Sequence, residues 1–136
     1  MTGTIQKTET VLIQNGSDVV GVRQRVRAWT TEMKFSLVEQ TKIVTAVSEL
    51  ARNTLEHGLG GKVEIALLNN AGRLGIQMTF SDKGPGIPDV KLALSDGYTS
   101  GKGMGLGLGG SKRLMNEFEI ETTPGLGTKI TCIRWK

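Results

Sequence analysis

Ser48-Glu49-Leu50-Ala51-Arg52-Asn53-Thr54-Leu55-Glu56-His57 holds the densest pattern of polar side chains at helical spacing in this chain. Glu49, Asn53 and His57 are spaced i, i+4, i+8, so on a helix they stand one above the other. A carboxylate, an amide and an imidazole then form one polar stripe. Val44, Val47, Leu50 and Ala51 flank it and supply an apolar face. A carboxylate and an amide oxygen suit a hard Mg²⁺ ion or a hydroxyl about to react. The same stripe also fits the solvated side of an amphipathic helix, and a histidine near a helix C-terminus favours the dipole whatever else it does.

The helix that carries this stripe is marked at both ends. Ser36-Leu37-Val38-Glu39 is a capping box, with Ser36 at the N-cap and Glu39 at N3. Ile43, Val47, Leu50 and Leu55 continue the apolar period, and Gly58 stands where a C-terminal stop belongs. The expected helix spans about 37–57. Before it, Val19, Val22, Val26 and Trp29 recur at three- and four-residue steps. They predict an amphipathic helix that ends near Lys34, with Ser17-Asp18 as its cap. Glu9 to Gln14 is a short β-like run ended by Asn15-Gly16.

After the helix, Val63, Ile65 and Leu67 alternate, and so do Leu74, Ile76, Met78 and Phe80. Asn69-Asn70-Ala71-Gly72 supplies the turn, which predicts a hairpin. Phe118 to Glu121 and Thr128 to Trp135 predict a second hairpin, joined by residues 123–127. Short helices are expected at 89–96 and from Gly110 to Asn116. The resulting order, β-α-α-β-β-loop-α-β-β, defines an α+β chain. It is a two-layer α/β sandwich with a mixed, mainly antiparallel sheet and helices on one face, in a single domain over 1–136.

The bulk numbers narrow the function. The chain has 136 residues, a net charge of +4 and 4% aromatic residues. The basic residues are dispersed among acidic ones, and stacking platforms are scarce, so no nucleic-acid partner is expected. Apolar runs fall short of the 18 or more residues of a membrane span, and Met1 to Ile5 lacks a signal pattern, so a cytoplasmic location is expected. The lone Cys132 lies in a strand pattern and reads as a buried, inert thiol.

Glycine is the unusual residue: 19 of them, roughly twice the usual share of about 7%. They cluster between Gly84 and Gly110. Asp82-Lys83-Gly84-Pro85-Gly86-Ile87-Pro88 places a carboxylate at a strand end, followed by glycines that permit close backbone approach to a flat ligand. Asp82 there can accept from an exocyclic amine such as that of adenine; the residues equally suit a tight turn. Gly101 to Gly110 leads into a helix N-terminus, which offers unpaired N–H groups to phosphate, with Lys102 as a point charge. It does not match the Walker pattern, because Gly103 follows Lys102.

E-x-x-x-N on a helix, then D-x-G-x-G after a strand, then a G-x-G-x-G loop before a helix, in this order, resembles the GHKL ATPase superfamily. The likeness covers nearly the whole chain and implies the GHKL (Bergerat) ATP-binding fold. Ser48 to Asn53, Asp82 to Pro88, Asp96-Gly97-Tyr98 and Lys112 to Phe118 look like the small anti-sigma-type serine kinases, above all the RsbT-like switch kinases. The helix end, Thr54 to Gly58, looks more like the anti-sigma-factor kinases.

The resemblance implies ATP and Mg²⁺ as cofactors. It implies that Asn53 holds the metal, that Glu49 orients or deprotonates an incoming serine hydroxyl, and that Asp82 contacts the adenine amine. Gly84 and Gly86 would leave room for the base. Gly103, Gly105, Gly107 and Gly109 would form the ATP lid with Lys102, and Thr128 would support the Asp82 end of the pocket. The implied activity is a serine/threonine protein kinase acting on a STAS-domain antagonist protein. A phosphatase activator or a sigma subunit is a further implied partner. The alternatives are an anti-sigma factor that sequesters a sigma subunit and a nucleotide-gated adaptor without phosphotransfer.

Overall fold

The computed structural model describes residues 3–94 and 108–136. Five strands, β1 (Thr4–Ile13), β2 (Gly61–Asn70), β3 (Arg73–Asp82), β4 (Glu117–Thr123) and β5 (Gly127–Trp135), form one sheet in the order β1-β2-β3-β5-β4. All four pairings are antiparallel. The helices are α1 (Gly16–Glu32), α2 (Leu37–Glu56), α3 (Val90–Leu94) and α4 (Leu108–Leu114).

Register explains where the helices sit. Val63, Phe80 and Ile130 lie side by side across three strands, as do Ile65, Met78 and Cys132. Successive strand residues alternate faces, so these rows project to one side. There they bury against Val22 and Val26 of α1 and Val47, Leu50 and Ala51 of α2 in one core. Burying each such side chain fully contributes roughly 1.5–3 kcal/mol. The other face carries a small separate cluster of Leu68, Ile133 and Trp135. Trp135 lies flat over Gly75 and donates Nε1–H to Glu117 Oε2 at 2.7 Å. The buried Cys132 thiol is pushed up to about 12 by desolvation, so it stays protonated at neutral pH and unreactive.

Local chemistry accounts for the element ends. Ser36 Oγ accepts from Glu39 N at 3.1 Å and starts α2 as its sequence predicts. The start of α1 differs from expectation. Its cap is Asn15, whose Oδ1 accepts from Asp18 N at 3.0 Å. Asp18 returns the bond by accepting from Gln14 N at 2.8 Å. Asp18 therefore occupies the third helical position of a reciprocal cap, and Ser17 lies inside the helix. Strand β1 begins five residues earlier than its apolar pattern indicates. Its polar first half is held by ladder bonds to β2, from Thr4 opposite Asn69 onward, so hydrogen bonding rather than burial recruits it. Leu108 and Gly109 are already helical ahead of the expected start at Gly110, and Leu108 is buried in the core.

Helix α1 is pinned to β1 by one acidic residue. Glu9 accepts from Arg25 Nε and Nη2, both at 2.7 Å, and from Trp29 Nε1 at 2.8 Å. The Arg25 hydrogen bonds, followed by that of Trp29, lower the Glu9 carboxyl to about 2. A depressed carboxyl stabilises the fold above its unfolded value, and that contribution fades as pH falls through the folded one. The Glu9 side chain is 30% exposed, so solvent screening trims the effect. Urea unfolding of the wild type is expected to lose stability between about pH 4.5 and pH 2. Glu9→Gln should be less stable near neutral pH and show a flatter profile across that window. Equal slopes for the two proteins would remove Glu9 as an anchor.

Candidate functional site: a cavity at the end of helix α2

The C-terminal turns of α2 meet the end of β3 at one edge of the sandwich. Between them and the loop after β3 lies a cavity of about 310 Å³. Asn53, Thr54 and His57 of α2 form one wall; Phe80, Asp82, Thr128 and Ile130 form the floor; Pro85 to Asp89 with Leu92 and Ala93 form the opposite side. The lining mixes flat apolar surface with a few convergent polar groups, the usual make-up of a small-molecule site. Nε2 of His57 is buried and has no hydrogen-bond partner among the described residues.

Asp82 is held by backbone. Its Oδ1 accepts from Gly84 N at 2.9 Å and from Thr128 N at 3.2 Å. Its Oδ2 lies beside Gly58. The helix end approaches this carboxylate so closely that any side chain at Gly58 would overlap it. A side chain at Gly84 would strike the backbone of Gly58 at 2.8 Å. Gly86 has φ +81°, and a side chain there would meet Thr123 O at 2.8 Å. Gly86 lines the cavity, whereas the contact of Gly84 is with Gly58 beside it.

The polar stripe of α2 reaches past the cavity. Asn53 and His57 line it; Glu49 stands one turn further toward the N-terminus and accepts from Arg52 Nη1 at 2.6 Å. That pair is partly exposed, at 37% for Glu49 and 43% for Arg52. The carboxylate is thus held in place and still within reach of an incoming group. Lys102, Gly103, Gly105 and Gly107 lie outside the described residues. Gly109 is described, buried in the first turn of α4.

The structure adds a residue that carries no mark in the sequence. Thr122 of β4 is half-buried beside Thr128, with the two Oγ1 atoms 3.0 Å apart. In β4 glutamates alternate with Phe118, Ile120 and Thr122, and nothing local distinguishes the Thr122 hydroxyl from that of Thr123. Only its register opposite Thr128 marks it.

Residues 38–136 match the family described as histidine kinase-, DNA gyrase B- and HSP90-like ATPase. The chain belongs to that family, the GHKL ATPases, and with it to a class that binds ATP. Among curated proteins it is 40% identical over 125 residues to the serine/threonine-protein kinase RsbT of Bacillus subtilis strain 168, covering 92% of this chain and 94% of that protein. It is also 31% identical over 113 residues to the anti-sigma F factor of Clostridium novyi strain NT, covering 79% of each. The RsbU and RsbW domains of a Mycobacterium tuberculosis protein share the fold at TM-score 0.66 and 19% identity, over 96% of this chain and 33% of that one. The catalytic domain of the histidine kinase ThkA shares it at TM-score 0.54 and 17% identity, over 95% of each.

The tight approach at Gly58 yields a test. Gly58→Ala should cost roughly 1–3 kcal/mol as overpacking and weaken ATP binding, because Asp82 must move to make room. Among the described residues and outside its own helix backbone, a methyl group at Gly110, in α4, would have only the Arg113 guanidinium within 4 Å, at 3.9 Å. Gly110→Ala should therefore be neutral or stabilising by up to about 1 kcal/mol. Thermal unfolding and calorimetry on both variants check the contrast.

Proposed function

We propose that this chain is an ATP-dependent serine/threonine protein kinase that phosphorylates a STAS-domain antagonist protein in a cytoplasmic, bacterial partner-switching pathway of stress or sigma-factor regulation. The observation that carries this reading is the α2 stripe. It sets a held carboxylate, Glu49, one turn from Asn53 at the wall of the nucleotide cavity. Similarity to a serine/threonine-protein kinase over nearly the full length of both chains supports it.

Phosphoryl transfer demands positioning and charge neutralisation more than covalent chemistry by the protein. Asp82 accepts from the exocyclic amine of adenine, and Phe80, Ile87 and Ile130 supply apolar surface for the ring. Asn53 would hold Mg²⁺ through its carboxamide oxygen, a hard donor of the kind that ion prefers. When bound, the ion neutralises charge on the phosphates. Lys102, Gly103, Gly105 and Gly107, with Gly109 at the head of α4, supply backbone donors and charge to the phosphate tail. Glu49 orients the substrate hydroxyl and takes its proton, and Arg52 keeps the carboxylate in position.

The likeness to anti-sigma F factors favours a second reading. In it the chain also sequesters a sigma subunit, and phosphotransfer releases it. Stable co-purification with a sigma subunit would select that reading.

Calorimetric titration with ATP and ADP, with and without Mg²⁺, is the direct experiment. The wild type should bind both, with Mg²⁺ strengthening ATP, and Asp82→Asn should weaken both. Glu49→Ala should keep its nucleotide affinity and lose about 10²–10⁴-fold in transfer to the STAS substrate. Transfer at the wild-type rate by Glu49→Ala would overturn the role of Glu49.

A further inference from the structure

The loop after β3, which forms one side of the nucleotide cavity, belongs to no strand or helix. Two bonds tie it to the β4–β5 hairpin. One joins backbone to backbone, Gly125 N to Pro85 O at 2.8 Å. The other depends on a side chain: Ile87 N donates to Thr122 Oγ1 at 2.8 Å. Thr122 lies on β4, the edge strand of the sheet, so the wall of the pocket hangs in part on one hydroxyl at the sheet's margin.

That hydroxyl has one proton and two lone pairs. Three groups surround it: the Ile87 N–H, Thr128 Oγ1 at 3.0 Å and Gly127 O at 3.2 Å. One arrangement satisfies all three together. The Ile87 N–H takes one lone pair, the Thr122 proton goes to Gly127 O, and the Thr128 hydroxyl proton takes the second lone pair. Thr128 is then left with lone pairs alone to present to the cavity it lines. Asp82 Oδ1, bonded to Thr128 N at 3.2 Å, is an acceptor as well.

We infer that Thr122 is a positioning and specificity-determining residue of the nucleotide pocket, anchoring the Ile87 wall and holding Thr128 as an acceptor for the base. A neighbouring pair of acceptors favours a base with an exocyclic amine over one with a carbonyl at the same position. The inference rests on the cavity holding the nucleotide base.

Thr122→Val keeps shape and β-branching and removes the hydroxyl. It strands the Ile87 N–H and returns the Thr128 proton to the cavity. Calorimetry should show ATP and ADP binding weakened alike by about tenfold, the low end of what one orphaned donor costs, since the Ile87 N–H is part-buried. The preference for ATP over GTP should narrow by a similar factor, whereas Thr122→Ser should stay within about twofold of wild type on both counts. Thr122→Val within twofold of wild type, or Thr122→Ser as impaired as Thr122→Val, overturns the inference. So does weakened affinity with an unchanged ATP-over-GTP preference, which reduces Thr122 to a structural tie. In the wild type, the Ile87 amide should exchange slowly and more slowly still with ADP. Exchange at the rate of an open loop overturns the inference even if the valine variant does not fold. A wild type that binds no nucleotide at all overturns instead the assignment of the cavity.

Discussion

The α2 C-terminus passes so closely over the end of β3 that this crossing places the other parts of the pocket. At Gly58 the helix leaves no space for a side chain against Asp82, and Gly84 packs back onto the same backbone. Two absent side chains thus bring a helix end, a strand end and a loop to one point. The apolar face of α2, seated on the Val63, Ile65, Met78 and Phe80 side of the sheet, sets the distance. Interiors at crystalline density transmit small displacements, so a shift at this point would move the acidic residue and the polar stripe relative to each other.

Among the described residues Asp82 is fixed by no charged partner but by two backbone N–H groups, one from its own loop and one from β5. Neutral donors hold a carboxylate in orientation and leave it able to accept a further bond from a ligand. The hairpin of β4 and β5 contributes a second layer of support through Thr122 and Thr128. The α2 stripe is a different device, a helix face whose members sit one turn apart, so the acidic residue and the stripe rest on separate elements of one small sheet-and-helix sandwich.

Much of this was legible in the residues. Alternation in 63–67 and 74–80 located the first hairpin, and the Ser36–Glu39 box located the start of α2. Where the structure departs from the sequence pattern, an interaction other than local apolar periodicity decided. The polar half of β1 is a strand because β2 offers it a ladder. Asn15 rather than Ser17 caps α1, because Asp18 was free to complete the reciprocal bond. Leu108 and Gly109 are helical ahead of Gly110, with Leu108 buried in the core. Thr122 stands out only through its partners across the sheet, because alternation puts it on one face with Phe118 and Ile120 without marking its hydroxyl.

Spacing along the chain was enough for the class of fold, the polar stripe of α2 and the turn after Asp82. Each of these is written within a single element or turn, and helix and strand geometry convert spacing directly into shared faces. Three-dimensional packing was needed to show that Gly58 and Gly84 serve a backbone crossing and that Thr122 ties the pocket wall to the sheet edge. The crossing and the tie depend on distances between residues far apart in the chain, Gly58 against Gly84 and Ile87 against Thr122, set by strand register and by how closely two packed layers approach.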